Sequence, residues 1–225
     1  MRIIDTYPEI IRLGRTFDIN LWEQYARHIS EEMPEKCKID SQNYDFNKDV
    51  LPVLQMALDS PEKLENAHNS FVKATSELGE RVKTVGGIDS SVDIVLYLGL
   101  CCGAGWATTL EGRHVVLIGI EKIVELGWYD LDKMSALIYH ELGHIWHYVI
   151  GGISDKDLTT PIMQMYSEGI AMHFQQLIIG DPECYHQDKD GWLEWCYANK
   201  TDLNIEFLRR LEAGENVQDF FWRLV

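Results

Sequence analysis

The chain has 225 residues, of which 46% are hydrophobic and 25% are charged, as in a globular protein with a sizeable core. Its formal net charge of −16 argues against nucleic acid as a partner, because phosphates would be repelled, and leaves no basic patch for a membrane surface. Five cysteines without CxxC spacing argue against a disulfide framework. The sequence has no signal-peptide pattern and no apolar run of membrane length, so we expect a reduced, cytoplasmic protein.

Residues 1–87 are predicted to form a helical N-terminal region. One helix would begin after Asn20 as its N-cap, and another would span residues 50–58. Ser60 and Pro61 are typical of the N-cap and first residue of a longer helix that reaches about residue 82. Because no chemical motif occurs here, we interpret the region as a helical wall or cap, and we predict a second domain over residues 88–225.

The pattern changes after Gly86-Gly87. Residues 92–98 and 114–120 are rich in Val, Ile, Leu and Tyr and predict strands, with a shorter strand over residues 106–109. A turn at Glu111-Gly112 would join the last two strands. The sequence therefore predicts an α+β fold in which a short mixed or antiparallel sheet packs on the helix that follows.

The most informative stretch is residues 140–144, which read His-Glu-Leu-Gly-His, the pattern HExxH. On a helix, His140 and His144 lie one turn apart on the same side, with Cβ atoms about 5–6 Å apart, so both can bind one Zn²⁺. Glu141 lies about 100° round the helix, so it can reach a water on the metal but not readily the metal itself. Asp130 is typical of the N-cap of this helix, and Gly151-Gly152 of its end.

The apolar residues of this helix argue against a chance occurrence of the motif in an ordinary core helix. Ile138, Leu142, Ile145 and Val149 fall on the side opposite the two histidines, so the helix would bury its back and present the histidines to a cleft. A second helix is predicted over residues 161–178, with Thr160 as N-cap. The tail, with its tryptophans and a helix over residues 203–211, is expected to pack into the core.

This pair of helices resembles the gluzincin branch of the HExxH zinc metallopeptidases. The residues that carry the resemblance are the motif at 140–144 and Ser-Glu-Gly-Ile-Ala-Met-His-Phe at 167–174. The resemblance implies a zincin-like fold, zinc held by His140, His144 and Glu168, and Glu141 as the general base in peptide hydrolysis. The 23 residues between His144 and Glu168 set the chain apart from the thermolysin-like and aminopeptidase patterns and favour a small separate subgroup.

His147 and His173 compete with Glu168 for the place of the third ligand. His147 lies about 10.5 Å along the helix from His140, too far for one ion to be bound comfortably by all three histidines of this helix. His173 and Glu168 are about 140° apart on their helix, so only one of them can face the metal. The small Gly169 and Ala171 flank Glu168 and would let the helices approach on its side, and a carboxylate offsets part of the Zn²⁺ charge. We therefore predict Glu168.

The expected partner is a peptide or protein substrate, with neither nucleic acid nor membrane, and the sequence leaves the oligomeric state open. Residues 114–120 are predicted to be the edge strand that pairs with an extended substrate, with a covered central strand as the alternative. Two other functions stay open: a regulatory metallopeptidase specific for one protein partner, and a non-enzymatic module with a structural zinc. Four residues are candidates for stabilising the oxyanion: Tyr148, Tyr166, Tyr185 and His186.

Overall fold

The computed structural model describes residues 1–76, 78–87, 92–153, 156–187, 191–217 and 220. Within these ranges the chain forms helices and one four-stranded mixed sheet, so the predicted α+β class is confirmed. The strands are β1 (Arg2–Asp5), β2 (Val92–Tyr97), β3 (Gly105–Leu110) and β4 (Arg113–Gly119). The helices are α1 (Tyr7–Arg12), α2 (Ile19–Ile29), α3 (Met33–Asp40), α4 (Leu51–Leu58), α5 (Pro61–Ser76), α6 (Leu78–Gly86), α7 (Ile120–Leu126), α8 (Leu131–Gly151), α9 (Pro161–Ile179) and α10 (Trp192–Glu212). None of the described helices is both long enough and apolar enough to cross a membrane.

The strands lie in the order β1-β2-β4-β3. β1, β2 and β4 run parallel to one another, and β3 is antiparallel to β4, to which the turn at Glu111-Gly112 joins it. β1 belongs to the region that was predicted to be helical, and that prediction is wrong for its four residues. The strand depends on pairing with β2 about ninety residues later, which a local pattern does not reveal.

β4 is a central strand, because β2 pairs with one side of it and β3 with the other. Its residues 115–118 are all buried, as expected for a strand covered on both faces. The prediction that residues 114–120 form an edge strand is therefore wrong. Among the described strands, the two edges of the sheet are β1 and β3, and β3 is the edge that packs against α8.

A buried carboxylate joins the three parallel strands at one end. Asp93 of β2 is 2% exposed and accepts hydrogen bonds from Nε and Nη2 of Arg113 on β4, both at 2.8 Å. Arg2 on β1 donates to the same carboxylate, from Nε at 3.0 Å and also from Nη2. The hydrogen bonds from Arg113 and then Arg2 outweigh the opposing effect of burial and hold the pKa of Asp93 far below its usual value.

The N-terminal helices and the sheet share one hydrophobic core, which extends from Ile10 to Ile178. The indole Nε1 of Trp22 donates to the carbonyl oxygen of Leu98 at 2.8 Å, which ties α2 to the end of β2. α2 is capped by Asp18 and not, as predicted, by Asn20. The predicted boundary between residues 87 and 88 adjoins residues 88–91, which lie outside the described part of the chain.

The C-terminal helix differs from its prediction. Residues 192–212 form one continuous helix, α10, where a helix over residues 203–211 was expected. Phe207 is buried, but Trp195 is 48% exposed and Leu208 is 52% exposed. The expectation that this tail packs into the core is therefore wrong for most of α10. The sequence also predicts a loop over residues 188–191, of which residues 188–190 lie outside the described part of the chain.

Candidate metal centre

α8 has the limits that its sequence predicts. The Asp130 carboxylate accepts a hydrogen bond from the backbone N–H of Lys133 at 2.8 Å, and Gly152 ends the helix in the left-handed conformation with φ of 63°. Ile138, Leu142 and Ile145 are fully buried, as predicted for the back of the helix. Val149, near the end of the helix, is 50% exposed, so the predicted apolar face stops one turn earlier.

α9 lies against α8 at very short range. Thr160 caps α9 through a hydrogen bond from the backbone N–H of Met163 at 3.3 Å, as predicted. A Cβ placed on Gly143 of α8 would lie 2.7 Å from Cα and 2.9 Å from the carbonyl oxygen of Ala171 on α9. Gly169 has no neighbouring atom within 4 Å of such a Cβ. The predicted close approach therefore occurs at Ala171 and involves Gly143, and the part assigned to Gly169 is wrong.

This close approach brings three side chains together. Nε2 of His140 lies 3.2 Å from Oε2 of Glu168, and Nε2 of His144 lies 3.6 Å from Oε1 of the same carboxylate. Their potential ligand atoms all lie within 4.8 Å of one another, and no other group of three such side chains occurs in the described ranges. His147 and His173 lie outside this group, and His173 is exposed.

A serine beside Glu168 orients the second histidine. Oγ of Ser167 lies 3.2 Å from Nδ1 of His144 and 3.4 Å from Nδ1 of His147. When Nδ1–H of His144 donates to Oγ of Ser167, the serine hydroxyl can donate to Nδ1 of His147. Nε2 of His144 then carries a free lone pair directed at the carboxylate of Glu168. Sequence reasoning missed this role, although Ser167 adjoins the predicted ligand.

His144 and Glu168 have the protonation states that a bound cation needs, whereas His140 must release a proton from Nε2 to bind one. Burial lowers the pKa of His144 to about 4, against the opposing charge of Glu168, so this imidazole is neutral at pH 7. Burial opposes ionisation of Glu168, but the hydrogen bond from His140 and the positive charge that each histidine carries when protonated outweigh it, and the pKa of Glu168 is lowered. Burial also opposes the charge on His140, but its hydrogen bond to Glu168 and the two nearby carboxylates raise its pKa.

Glu141 lies at the edge strand and not among these three side chains. A Cβ on Gly105 of β3 would lie 2.5 Å from Oε1 and 2.6 Å from Cγ of Glu141, so the carboxylate occupies the space that a side chain at residue 105 would need. The backbone of Ala107 hydrogen-bonds to it. Burial raises the pKa of Glu141 to about 7, with smaller opposing effects from His140 and Ala107 and a raising effect from Glu168. Such a carboxylate can accept a proton near neutral pH.

The four candidates for oxyanion stabilisation differ in where they lie. Tyr166 is 54% exposed and its ring lies against His147, 5.4 Å away. Tyr185 stacks on Trp192 at 5.2 Å and donates its hydroxyl to Gln187. Tyr148 is half-buried on α8.

His186 is the candidate that adjoins the predicted ligands. It is 4% exposed, and its ring centroid lies 5.3 Å from that of His140. Burial, and then the charge of His140, lower the pKa of His186 to about 3. A neutral imidazole donates a hydrogen bond from only one of its two nitrogens. His186 could therefore stabilise an oxyanion only if the nitrogen that faces the oxyanion carries the hydrogen.

The donor set fits zinc. Two imidazoles and one carboxylate are the ligands of many catalytic zinc sites, in which a fourth position stays open. Both histidines can present Nε2, and His144 already has a partner for its other nitrogen. No family model, no curated protein and no solved structure matches the chain. The arrangement of side chains therefore carries the functional argument.

Proposed function

We propose that this protein is a zinc-dependent peptidase with a gluzincin-type site. Three predicted ligands would hold the metal: His140 and His144 on α8 and Glu168 on α9. The observation that carries the proposal is that their ligand atoms lie within 4.8 Å of one another while Glu141, one residue along α8, lies outside this group. Two helices thus supply the ligands that a catalytic zinc needs, and a separate carboxylate is left for proton transfer.

A zinc ion in this site would supply Lewis acidity, which lowers the pKa of a bound water to about 7 and polarises a carbonyl oxygen. Glu141 would take the proton of the attacking water on its carboxylate. Burial raises the pKa of Glu141 to about 7 in the metal-free protein, and the charge of a bound Zn²⁺ would lower it, so the carboxylate would be ionised and able to accept a proton at neutral pH. Gly105 leaves the space in which that carboxylate lies, so β3 is part of the catalytic arrangement.

β3 also replaces β4 as the strand that would bind substrate. It pairs with β4 alone among the described strands, and its other edge is where an extended peptide would add as a further strand. The backbone of Ala107 reaches the carboxylate of Glu141, so a peptide along this edge would bring its carbonyl groups close to the proposed base. Main-chain hydrogen bonds would supply affinity without strict sequence selectivity.

A structural zinc is the main rival. Such sites are closed by four protein ligands. Within the described residues, His140, His144 and Glu168 are joined by no fourth histidine, cysteine or carboxylate, which favours an open, catalytic site. A regulatory peptidase would share this geometry and differ in accepting one protein partner in place of general peptides.

Substitution of Glu141 by glutamine tests the proposal. The Glu141→Gln variant should bind one zinc per chain as the wild type does, because Glu141 is not a ligand, and should lose hydrolysis of internally quenched peptides and of an unfolded protein. Glutamine keeps the shape but cannot accept the proton. The matched control is Glu35→Gln on the exposed side of α3, which should keep both properties. Full hydrolytic activity of Glu141→Gln would remove this residue from the mechanism.

A further inference from the structure

Two buried ring nitrogens beside the candidate metal centre have no hydrogen-bond partner among the described residues. They are Nδ1 of His140 and Nε2 of His186. The two side chains are 5% and 4% exposed, and their ring centroids lie 5.3 Å apart at an interplanar angle of 62°. Buried polar atoms are nearly always paired in folded proteins, so two unpaired atoms on neighbouring rings indicate an interaction that forms in the working state.

Gln175 fixes which nitrogen of His186 carries the hydrogen. Oε1 of Gln175 lies 2.8 Å from Nδ1 of His186, and the glutamine is completely buried. The amide Nε2 of Gln175 donates to the carbonyl oxygen of Cys184 at 3.4 Å, which identifies Oε1 as its acceptor end. Nδ1 of His186 therefore carries the hydrogen, and Nε2 presents a lone pair.

His140 has the complementary requirement. Its Nε2 faces Glu168 at 3.2 Å, on the side where the three candidate ligand atoms meet. An imidazole that binds a metal through Nε2 carries its hydrogen on Nδ1 and donates it to a partner that fixes the ring. His140 would thus carry a buried donor on Nδ1, and the neighbouring ring of His186 carries a buried acceptor on Nε2.

We propose that His186 is a positioning residue for the metal centre, whose Nε2 accepts a hydrogen bond from Nδ1–H of His140. The inference rests on the proposed metal site and adds a residue that acts through His140 and not on the metal. His186 itself stays outside the group of ligand atoms that lie within 4.8 Å of one another. With this bond Nδ1 of His140 has a hydrogen-bond partner, as Nδ1 of His144 has in Ser167.

Gln175 then acts on the metal centre indirectly, through His186. It holds His186 in the tautomer that leaves Nε2 free, so the order of hydrogen bonds runs from His140 to His186 to Gln175 to the backbone of Cys184. The ring centroids of Trp128 and His186 lie 5.3 Å apart with the rings nearly perpendicular, and this packing limits the movement of His186. Each member of this series is thereby fixed by the next.

Zinc affinity of the full chain tests the proposal, measured by competition with a chromophoric chelator. The variants are His186→Phe, which fills the space of the ring but cannot accept a hydrogen bond, and His186→Gln, which retains an acceptor. We expect His186→Phe to weaken zinc binding by about 10–100-fold, the usual effect of losing such a partner, and His186→Gln to weaken it less. The same substitution at the exposed His173, His173→Phe, is the matched control and should leave zinc affinity unchanged.

Nuclear magnetic resonance of the zinc-loaded wild type with ¹⁵N-labelled histidine gives a readout that a purely structural role would not move. We expect a scalar coupling between Nδ1 of His140 and Nε2 of His186 across the hydrogen bond. Its absence, or a folded His186→Phe variant with wild-type zinc affinity, would overturn the proposal while the peptidase proposal stands. If His186→Phe does not fold, the wild-type coupling and His186→Gln decide. A wild-type chain that binds no zinc overturns both proposals.

Discussion

Replacement of Gly143 by alanine perturbs the contact on which the metal centre depends. The added Cβ would lie 2.7 Å from Cα of Ala171, whereas ordinary contact begins at 3.4 Å, so α8 and α9 must separate by at least 0.7 Å at this point. The obstructing atoms belong to the backbone, and no side-chain rotation can relieve the clash. Because His140 and His144 lie on α8 and Glu168 lies on α9, the separation acts directly on the ligand geometry.

We expect Gly143→Ala to reduce zinc affinity more strongly than it reduces the free energy of unfolding. Overpacking of a core contact costs about 1–3 kcal/mol, and alanine in place of glycine in a helix returns about 1 kcal/mol, so the net loss of stability is about 0–2 kcal/mol. Metal–ligand distances tolerate only about 0.2 Å, so a separation of 0.7 Å should lower zinc affinity at least about tenfold. Chelator competition measures the affinity, and urea unfolding of the metal-free protein measures the stability.

Gly169→Ala is the matched control. It makes the same substitution in the neighbouring helix, next to Glu168, where the new Cβ meets nothing within 4 Å. We expect unchanged zinc affinity and a gain in stability of up to about 1 kcal/mol. Equal zinc affinity of Gly143→Ala and the wild type would refute the argument that the approach of the two helices sets the ligand geometry.

Two further predictions concern β3 and the sheet. Gly105→Ala should bind zinc but lose peptide hydrolysis. Its new Cβ would lie within 2.8 Å of three atoms of the Glu141 side chain and would displace this proposed base. Hydrolysis at the wild-type rate would show that Glu141 does not need this position. Asp93→Asn should lower the free energy of unfolding at pH 7 by about 1–2 kcal/mol, a figure reduced because Arg2 and Arg113 are 63% and 44% exposed. The folded pKa of Asp93 lies below its unfolded value, so its contribution is present above about pH 4 and is lost as the pH falls further. The difference between variant and wild type in urea unfolding should therefore shrink below pH 4, and a difference independent of pH would contradict the ionic explanation.

Local signals in the sequence predicted the elements that carry the site. Asp130, Thr160 and Gly152 act within a few residues of the helix ends that they define, so α8 and α9 could be placed from the sequence. The structure also brings His140, His144 and Glu168 together, as predicted from the helical spacing and from the comparison of the candidates for the third ligand. Metal binding and hydrolysis stay predictions.

Features that depend on distant contacts were missed. β1 is only four residues long and becomes a strand by pairing with β2, and the position of β4 between two partners depends on the order of strands in the sheet. The apolar run at residues 115–118 fits the covered strand that was the alternative interpretation. His186 was one of four oxyanion candidates, but its contact with His140 depends on the path of the chain after α9, which no spacing in the sequence reveals.

Zinc content after substitution of the third ligand shows directly whether Glu168 binds the metal. Glu168→Ala and His173→Ala, five residues apart on α9, are purified, reconstituted with zinc, dialysed and compared with the wild type by mass spectrometry of the metal. We expect about one zinc per chain for the wild type and His173→Ala, and a severe loss for Glu168→Ala, because Glu168 lies with His140 and His144 whereas His173 is exposed. Full zinc content in Glu168→Ala together with loss of the metal in His173→Ala would contradict this expectation.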